Sequence, residues 1–283
     1  MQDAAAAMFA RIAASRGENP VCAFAGGGLP TTILSCCAGA LLPLLSTRAV
    51  LPLRAACKEA AAAIARHPWE DSETVIKGQL AAWRACFPRA RAANVAAVMP
   101  GTAFAFGRRA PLHDADFEHL AGLDALSMRG CTGITDAAFV HLRGIHTLDM
   151  SGCSQAGITD AAFAHLRGIH TLDMCHCSQA SITDAAFAHL RGIHALRMTD
   201  CSQAGITDAA FAHLRGIHTL EMSFCSQAGI TEAAFPYLLG IHTLVMCGPN
   251  LYGGYRASFR PACVAAALAL GLPVLAPGVR LLG

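Results

Sequence analysis

The sequence predicts an α/β solenoid of about six repeats, each of about 24 residues, over residues 114–250, preceded by a small all-α segment. The first observation behind this prediction is a ladder of phenylalanines at a nearly constant spacing, Phe117, Phe139, Phe163, Phe187, Phe211 and Phe235, of which only the first interval is slightly shorter. The second is that each repeat contains the pattern of a short helix followed by a short strand. A fixed period in the twenties is typical of a solenoid, whose units bury their apolar faces only against their neighbours.

Composition narrows the class of protein. The chain has 283 residues, 54% of them apolar and 14% charged, which is typical of a folded chain of one long or two short domains. The net charge is +2, from 21 basic and 19 acidic residues. Because no basic excess is available to bind phosphates, the charge does not favour nucleic acid as a partner.

Cysteine usage predicts a reducing compartment. Six of the 13 cysteines occupy the same place in successive repeats, namely Cys131, Cys153, Cys177, Cys201, Cys225 and Cys247. A residue used once per turn of a solenoid forms a stacked column, and pairing within that column would strain each bridge. We therefore expect buried free thiols, and a cytoplasmic or nuclear location.

The second repeat illustrates the predicted helix. Thr135 is a good N-cap, and Asp136 places a negative charge on the first turn, where the helix dipole favours it. Phe139 and Leu142 share one face of the helix, and Gly144 supplies its end.

The predicted strand of this repeat covers Thr147 to Ser151. Its alternating pattern places Leu148 and Met150 in the core and Thr147, Asp149 and Ser151 towards solvent.

The whole pattern, L-x-x-I-x-x-L-x-M-x-x-C followed by ITD, resembles the leucine-rich repeat of the cysteine-containing type over Asp114 to Gly248. The resemblance implies a curved coil with a parallel sheet on the concave side and short helices on the convex side. It also implies that each cysteine closes the turn after a strand and satisfies backbone groups. The chain departs from the family in using Met at the second inward strand position and in an extra Gln-Ala step before ITD in repeats two to five.

Differences between the repeats are concentrated at the outward strand positions and in the turns after them, whereas the sequence of the helices is nearly constant. The alternative is that strand surfaces simply tolerate change, but the exposed helix-side arginines such as Arg143 and Arg167 are unchanged. We therefore predict a partner-binding concave face with Arg197 and Phe224 as energetic anchors. Its members are Arg129, Thr147, Asp149, Ser151, Asp173, Cys175, His176, Arg197, Thr199, Asp200, Glu221, Ser223, Phe224 and Val245.

Nine of the 13 histidines form two columns, one on the helices and one just before the strands. The first contains His141, His165, His189 and His213, and the second contains His146, His170, His194, His218 and His242. A straight column offers one metal centre only two near ligands, whereas zinc needs four, so we predict neither a metal site nor a cofactor. We expect stacked imidazoles to lower one another's pKa and to reduce stability below about pH 6.5.

Residues 21–69 contain an opening Leu29-Pro30, a central Leu53-Arg54…Cys57-Lys58 and a closing Pro68-Trp69. This pattern resembles an F-box, a three-helix segment that docks on the Skp adaptor of cullin-based ubiquitin ligases. The resemblance assigns adaptor contact to Leu29, Pro30, Ile33, Leu34, Leu42, Pro43, Leu53, Cys57 and Trp69. Pro52 and an alanine-rich third helix depart from the pattern. The alternative is a helical cap that merely seals the open end of the solenoid.

The remaining segments are predicted from composition and spacing. Residues 1–20 form a flexible tail, 70–113 a linker and N-terminal cap, and 251–283 a C-terminal cap with a helix at Ala262 to Leu270. A helix from Ser46 to Ala65 is capped by Ser46 or Thr47 and kinked at Pro52. A second helix covers Asp71 to Phe87, a degenerate strand Ala90 to Val98, and a loop Gly101 to Pro111.

The sequence offers no phosphate loop, no G-x-S-x-G, no H-E-x-x-H and no C-x-x-C, so we predict no enzyme. Two uncharged stretches, Asn19 to Thr47 and Pro261 to Val279, are interrupted by Gly and Pro, which disfavours a membrane span but leaves a membrane-attached protein as an alternative. We predict a substrate receptor with an adaptor at its N-terminus and a target protein on the concave sheet. The alternative is a plain repeat module without a ubiquitin-ligase role.

Overall fold

The computed structural model describes residues 42, 45–56, 58–77, 79–97, 112–225, 227–246 and 266–275. The chain divides into two compact units, one up to Ala93 and one from Asn94 onwards. The flexible tail predicted for residues 1–20, the loop predicted for Gly101 to Pro111, and Cys247 lie outside the described residues.

The described residues of the first unit form three helices: α1 (Thr47–Ala56), α2 (Lys58–Arg66) and α3 (Leu80–Cys86). Ser46 caps α1, because its hydroxyl accepts a hydrogen bond from the Ala49 amide at 3.2 Å. The single helix expected from Ser46 to Ala65 is therefore two helices, and Pro52 lies inside the first of them.

The helix predicted for Asp71 to Phe87 was wrong over its first half, since only Leu80–Cys86 is helical. The Asp71 carboxylate accepts the amides of Glu73 and Thr74, at 3.2 and 2.9 Å, and so fixes a turn in place of a helix. The carboxylate also accepts two hydrogen bonds from Thr47, which tie this turn to the start of α1.

The described residues form one sheet of eight strands, arranged in the order of the sequence, and all but the first strand lie wholly in the second unit. The strands are β1 (Ala92–Asn94), at the division between the units, then β2 (Ala125–Ser127), β3 (Thr147–Asp149), β4 (Thr171–Asp173), β5 (Ala195–Arg197), β6 (Thr219–Glu221), β7 (Thr243–Val245) and β8 (Val274–Leu275). From β2 to β8 every neighbouring pair is parallel. The predicted degenerate strand at Ala90 to Val98 is confirmed as β1.

One-turn helices follow strands β2 to β5, each beginning at an aspartate: α4 (Asp136–Phe139), α5 (Asp160–Phe163), α6 (Asp184–Phe187) and α7 (Asp208–Phe211). Short 3-10 segments at Val140–Leu142, Ala164–Leu166 and Ala212–Leu214 extend three of them. The first and last repeats have only 3-10 helices, Asp114–Leu120 and Glu232–Leu238. Residues 266–269, inside the predicted closing helix, are helical.

The core of the repeats is a set of columns. The inward leucines of adjacent strands are register partners, from Leu126 through Leu148, Leu172, Leu196 and Leu220 to Leu244. The six phenylalanines of the ladder are fully buried as well. Because each column is continuous, every repeat packs on the repeats before and after it, and the predicted leucine-rich-repeat solenoid with its parallel sheet is confirmed.

Candidate functional site

The outward side chains of β2 to β7, together with the turns after these strands, form one surface that we call the strand face. Each strand is short, but the backbone ladder continues beyond it. The Met150 amide donates to the Asp173 carbonyl at 2.8 Å, and the Gly152 amide donates to the Cys175 carbonyl at 2.8 Å. The turn residues of successive repeats are therefore in register, about 4.8 Å apart.

Charged side chains at the centre of the strand face pair with one another across the strands. The Arg197 guanidinium contacts the Asp173 carboxylate at 2.8 Å and the Glu221 carboxylate at 2.7 Å. The hydrogen bond that Arg197 donates to Glu221 and the charge of Asp173 outweigh desolvation and raise the pKa of Arg197. Arg129 lies 3.7 Å from Asp149 in the same way.

Three members of the predicted surface were placed wrongly. Ser151, Cys175 and Ser223 were expected to point to solvent, but all three are buried. The reason is local: the Asp149 carboxylate accepts hydrogen bonds from both the amide and the hydroxyl of Ser151, which draws the chain into a turn. The Cys175 amide donates to Asp173 in the corresponding way. Thr147, Thr199 and Val245 are half-buried.

The next residue in each turn, which follows Ser151, Cys175, Thr199 or Ser223, is exposed. His176 and Asp200 form a pair, with His176 Nδ1 and Asp200 Oδ2 separated by 3.1 Å. Phe224 is 44% exposed, whereas the six phenylalanines of the ladder are fully buried. The strand face thus carries ion pairs at its centre and a row of exposed turn residues at its edge.

The cysteine column supports the turns from inside. The thiols of Cys153, Cys177, Cys201 and Cys225 donate to carbonyls of inward methionines; for example, Cys153 Sγ lies 3.2 Å from the Met128 oxygen. Cys131 donates to the Val95 carbonyl instead. Burial raises the pKa of Cys177 and Cys225 to about 12, so these thiols stay protonated and keep donating. The predicted structural role of the cysteines is confirmed, and Cys153, Cys177, Cys201 and Cys225 form no disulfide.

Neighbouring repeats are joined by an aspartate–threonine contact that was not predicted from the sequence. The aspartate that opens each helix accepts two hydrogen bonds from the N-cap threonine of the next repeat, one from its amide and one from its hydroxyl. Asp160 thus accepts from Thr183 at 2.7 Å through both donors. The same pair recurs from Asp114 and Thr135 to Asp208 and Thr231. The repeated Thr and Asp of the ITD pattern indicate this contact, but each residue also has a role in its own helix, which conceals it in the sequence.

Glutamines of the extra Gln-Ala step also form a column that the sequence analysis did not interpret. The side chains of Gln179, Gln203 and Gln227 are buried inside the turns. The Gln179 amide donates to the Cys153 carbonyl of the preceding repeat, so this residue adds a further link between neighbouring repeats.

The two histidine columns differ in structure. The five imidazoles before the strands are stacked, with ring centroids 4.4 to 4.5 Å apart and planes within 17° of parallel. Desolvation and the charges of His194 and His242 lower the pKa of His218, in the direction predicted. The helix column differs, because the rings of His165, His189 and His213 accept hydrogen bonds from arginines of the preceding repeat, as His165 does from Arg143 at 3.3 Å.

Among the residues that the structure describes, no group of three or more His, Cys, Asp or Glu side chains could hold a metal ion. None of the helices in this described part of the chain has the length and apolar character needed to span a membrane.

The predicted adaptor contacts fall mostly outside the described part of the chain, namely Leu29, Pro30, Ile33, Leu34, Pro43 and Cys57. Leu53 lies in α1, and its side chain is not described. Leu42 and Trp69, also predicted as adaptor contacts, are both buried. Trp69 Nε1 donates to the Ile64 carbonyl at 2.8 Å and the ring packs edge-on against Phe87, so Trp69 belongs to the core of the first unit.

Together, the register of the strands and the repeated contacts define the class of protein: a leucine-rich-repeat solenoid. No protein-family model matches the chain, and no curated protein sequence matches it. Solved structures that it resembles include one titled "Crystal structure of TLR13-ssRNA13 complex", with a TM-score of 0.42 and 16% identity, covering 57% of this chain and 22% of that one. Another, "Crystal structure of Rad7 and Elc1 complex in yeast", has a TM-score of 0.40 and 17% identity, covering 58% of this chain and 44% of that one. The chain thus spans less than half the length of either.

Proposed function

We propose that the chain is a protein-interaction module that holds a target protein on the strand face. The observation that carries the proposal is the position of the differences between repeats. The helix text DAAF is unchanged in four repeats, whereas the central outward strand residue changes from Asp149 and Asp173 to Arg197 and Glu221. A scaffold of near-identical units that differs on a single face is what selective binding of one partner requires.

The charge arrangement on this face supports binding to a partner with polar contacts. Arg197 is already held between two carboxylates, so its guanidinium is fixed in place before a partner arrives. A preorganised side chain loses less conformational entropy on association than a mobile one. The strand face would thus select its target by charge and shape with little rearrangement.

The test is affinity capture with the full-length chain and with a triple variant, Asp173→Ala, Arg197→Ala and Phe224→Ala. We expect the variant to lose the partners that the wild type captures. A matched triple variant on the helix side, Arg143→Ala, Arg167→Ala and Arg191→Ala, is expected to keep them. Identical partners for the wild type and the strand-face variant would refute the proposal.

For the first unit, we propose a role as the docking segment for a Skp-type adaptor, which would make the chain a substrate receptor of a cullin-based ubiquitin ligase in the cytoplasm or nucleus. What supports this proposal is the F-box-like sequence pattern that precedes the leucine-rich repeats. The burial of Leu42 and Trp69 favours a second candidate, in which this unit has no ligase role and the chain is a binding module alone.

A pull-down with a purified Skp-type adaptor separates the two candidates. The ligase proposal predicts binding that is lost in the double variant Leu53→Ala and Cys57→Ala and retained in Asp173→Ala on the strand face. Absence of binding, or binding that the double variant leaves unchanged, would favour the module without a ligase role.

A further inference from the structure

The second residue of the turn after each strand has a left-handed backbone in five successive repeats. The first two repeats use glycine there, Gly130 at φ 62° and Gly152 at φ 70°. The next three use His176, Asp200 and Phe224, each at φ 57°. These three side chains form what we call the turn row.

Placing a side chain at this position strains the backbone. A left-handed conformation brings Cβ close to the carbonyl oxygen, which glycine avoids, and a bulky residue such as phenylalanine is a rare exception. Asp and His tolerate the conformation better than Phe does. The chain itself shows that glycine serves this turn, because Gly130 and Gly152 close it in the same register.

Lack of room for a side chain does not explain why glycine occupies this turn in the first two repeats. A Cβ at Gly152 would meet only backbone atoms of Gly130, at 3.8 Å, which is an ordinary contact. The difference between the glycine turns and the turn row is therefore conformational strain and the side chain that comes with it. Burial does not offset this strain, since the side chains of His176 and Asp200 are 62% and 60% exposed and Phe224 is also exposed.

The three strained residues are neighbours. The His176 amide donates to the Thr199 carbonyl and the Asp200 amide to the Ser223 carbonyl, both at 2.8 Å, so the three turns lie side by side. The turn row borders the ion pairs of Arg197 with Asp173 and Glu221. Strained residues that cluster on an exposed surface are typical of binding sites, where the side chain is retained for its contacts and not for the fold.

We propose that the turn row is the contact surface for a basic protein segment that also carries an apolar side chain. This inference rests on the proposed function of the strand face and names the chemistry of its target. Phe224 offers the apolar contact. The charge complement comes from an excess of acidic groups on the face, four carboxylates (Asp149, Asp173, Asp200 and Glu221) against two guanidinium groups (Arg129 and Arg197). One of the four, Asp200, also contacts His176.

The experiment uses a displayed library of random dodecapeptides, selected on the full-length chain and on two variants. The turn variant carries His176→Gly, Asp200→Gly and Phe224→Gly, and the strand variant carries Asp173→Ala, Arg197→Ala and Glu221→Ala. Val140→Ala is the matched control, because Val140 is an exposed apolar side chain on the helix side that other repeats replace with alanine. Thermal melts accompany each selection.

Wild type is expected to enrich peptides that combine Lys or Arg with a large apolar residue. A synthetic peptide of the enriched sequence should bind the turn variant at least tenfold more weakly than the wild type or Val140→Ala. The turn variant should melt no lower than the wild type, because glycine relieves the strain, which excludes misfolding as the cause of weaker binding.

Each other result overturns the inference in a recognisable way. If the strand variant loses the peptide and the turn variant keeps it, the strand face binds but the turn row does not. If enriched peptides are acidic or lack an apolar residue, the assigned chemistry is wrong. If neither variant alters binding, or if the wild type enriches nothing, the inference and the proposed function fail together.

Discussion

At the scale of single residues, the contact between each helix-opening aspartate and the threonine of the next repeat is the most regular feature of the molecule. Each carboxylate is both the charge that favours its own helix start and the acceptor for two donors of its neighbour. One side chain thus serves two repeats. The last repeat has Glu232 in this position, and Glu232 is exposed.

We predict that Asp160→Ala lowers the free energy of unfolding by about 1–3 kcal/mol, because it removes the acceptor of two hydrogen bonds to Thr183. Chemical denaturation followed by circular dichroism measures the change. Glu232→Ala is the control and should cost less than about 0.5 kcal/mol, as for ordinary surface changes. Equal losses in the two variants would show that the contact between repeats adds nothing.

The buried thiols predict how stability changes in alkali. Burial raises the pKa of Cys177 and Cys225 to about 12 in the folded chain, above the value of about 8.5 in the unfolded chain. Above about pH 9 the unfolded chain therefore binds fewer protons than the folded chain, and stability falls as the pH rises. The melting temperature should decline between about pH 9 and 11.

A control for this prediction is Cys177→Ala with Cys225→Ala, which should start from a lower melting temperature and decline less over the same range. A wild-type melting temperature that stays constant throughout this range would contradict the assignment of these thiols as protonated donors.

At the scale of elements, the repeat period predicted the strands, the helices and their order, because it recurs with the same residue classes in each copy. The period could not predict contacts that cross from one repeat to the next, such as Thr183 with Asp160, since both residues satisfy a local rule as well. It also could not predict the burial of Ser151, which depends on the position of the Asp149 carboxylate in space. The first unit has no repeat, and there local hydrogen bonds to Asp71 decided where the helix begins.

Glycines that end the helices are required by their backbone alone. Gly168 has φ 84°, and a Cβ there would meet no atom within 4 Å. We predict that Gly168→Ala costs about 1–2 kcal/mol of stability, the penalty of a left-handed alanine. Gly168→Asn is the control, because asparagine tolerates this conformation, and it should cost less. A larger loss for asparagine in urea denaturation would mean that size matters at this turn.

The stacked histidine column predicts an acid response. The pKa of His218 is lowered by desolvation and by His194 and His242, so the unfolded chain binds the proton more readily. Stability is then complete above about pH 6.5 and falls as the pH drops below that value. We expect the melting temperature to fall between about pH 7 and 5, and to fall less in His218→Gln, as scanning calorimetry would show. A melting temperature that is constant over this range would refute the prediction.

At the scale of the whole molecule, each repeat of the solenoid is stabilised only by contacts with its neighbours. A complete repeat can therefore be deleted without preventing the others from folding. Deleting residues 160–183 or residues 184–207 removes one complete repeat and joins a threonine to an aspartate in both cases. The first deletion brings Asp149 beside Arg197, and the second brings Asp173 beside Glu221. Like charges on adjacent strands destabilise a sheet, by about 0.2–1 kcal/mol per pair.

We therefore predict that both shortened chains fold and that the chain lacking residues 160–183 is the more stable of the two. Guanidinium unfolding monitored by circular dichroism gives the order. Deleting only residues 160–171, half of one repeat, is the control and should prevent cooperative unfolding, because it breaks the register of every column. The opposite order of the two complete-repeat deletions would show that the central ion pairs do not matter.

The sameness of the helix-opening contacts has a consequence for refolding. The Thr207 hydroxyl meets a carboxylate of the same geometry whether it docks on Asp184 or slips by one rung onto Asp160. A chain misaligned in this way would leave one whole repeat as an unpaired loop and still satisfy its local hydrogen bonds. Only the side chains that differ between rungs, above all Arg197 between its two carboxylates, distinguish the correct alignment from the slipped one. The side chains that distinguish one repeat from the next on the strand face therefore also favour the correct alignment of the repeats during folding.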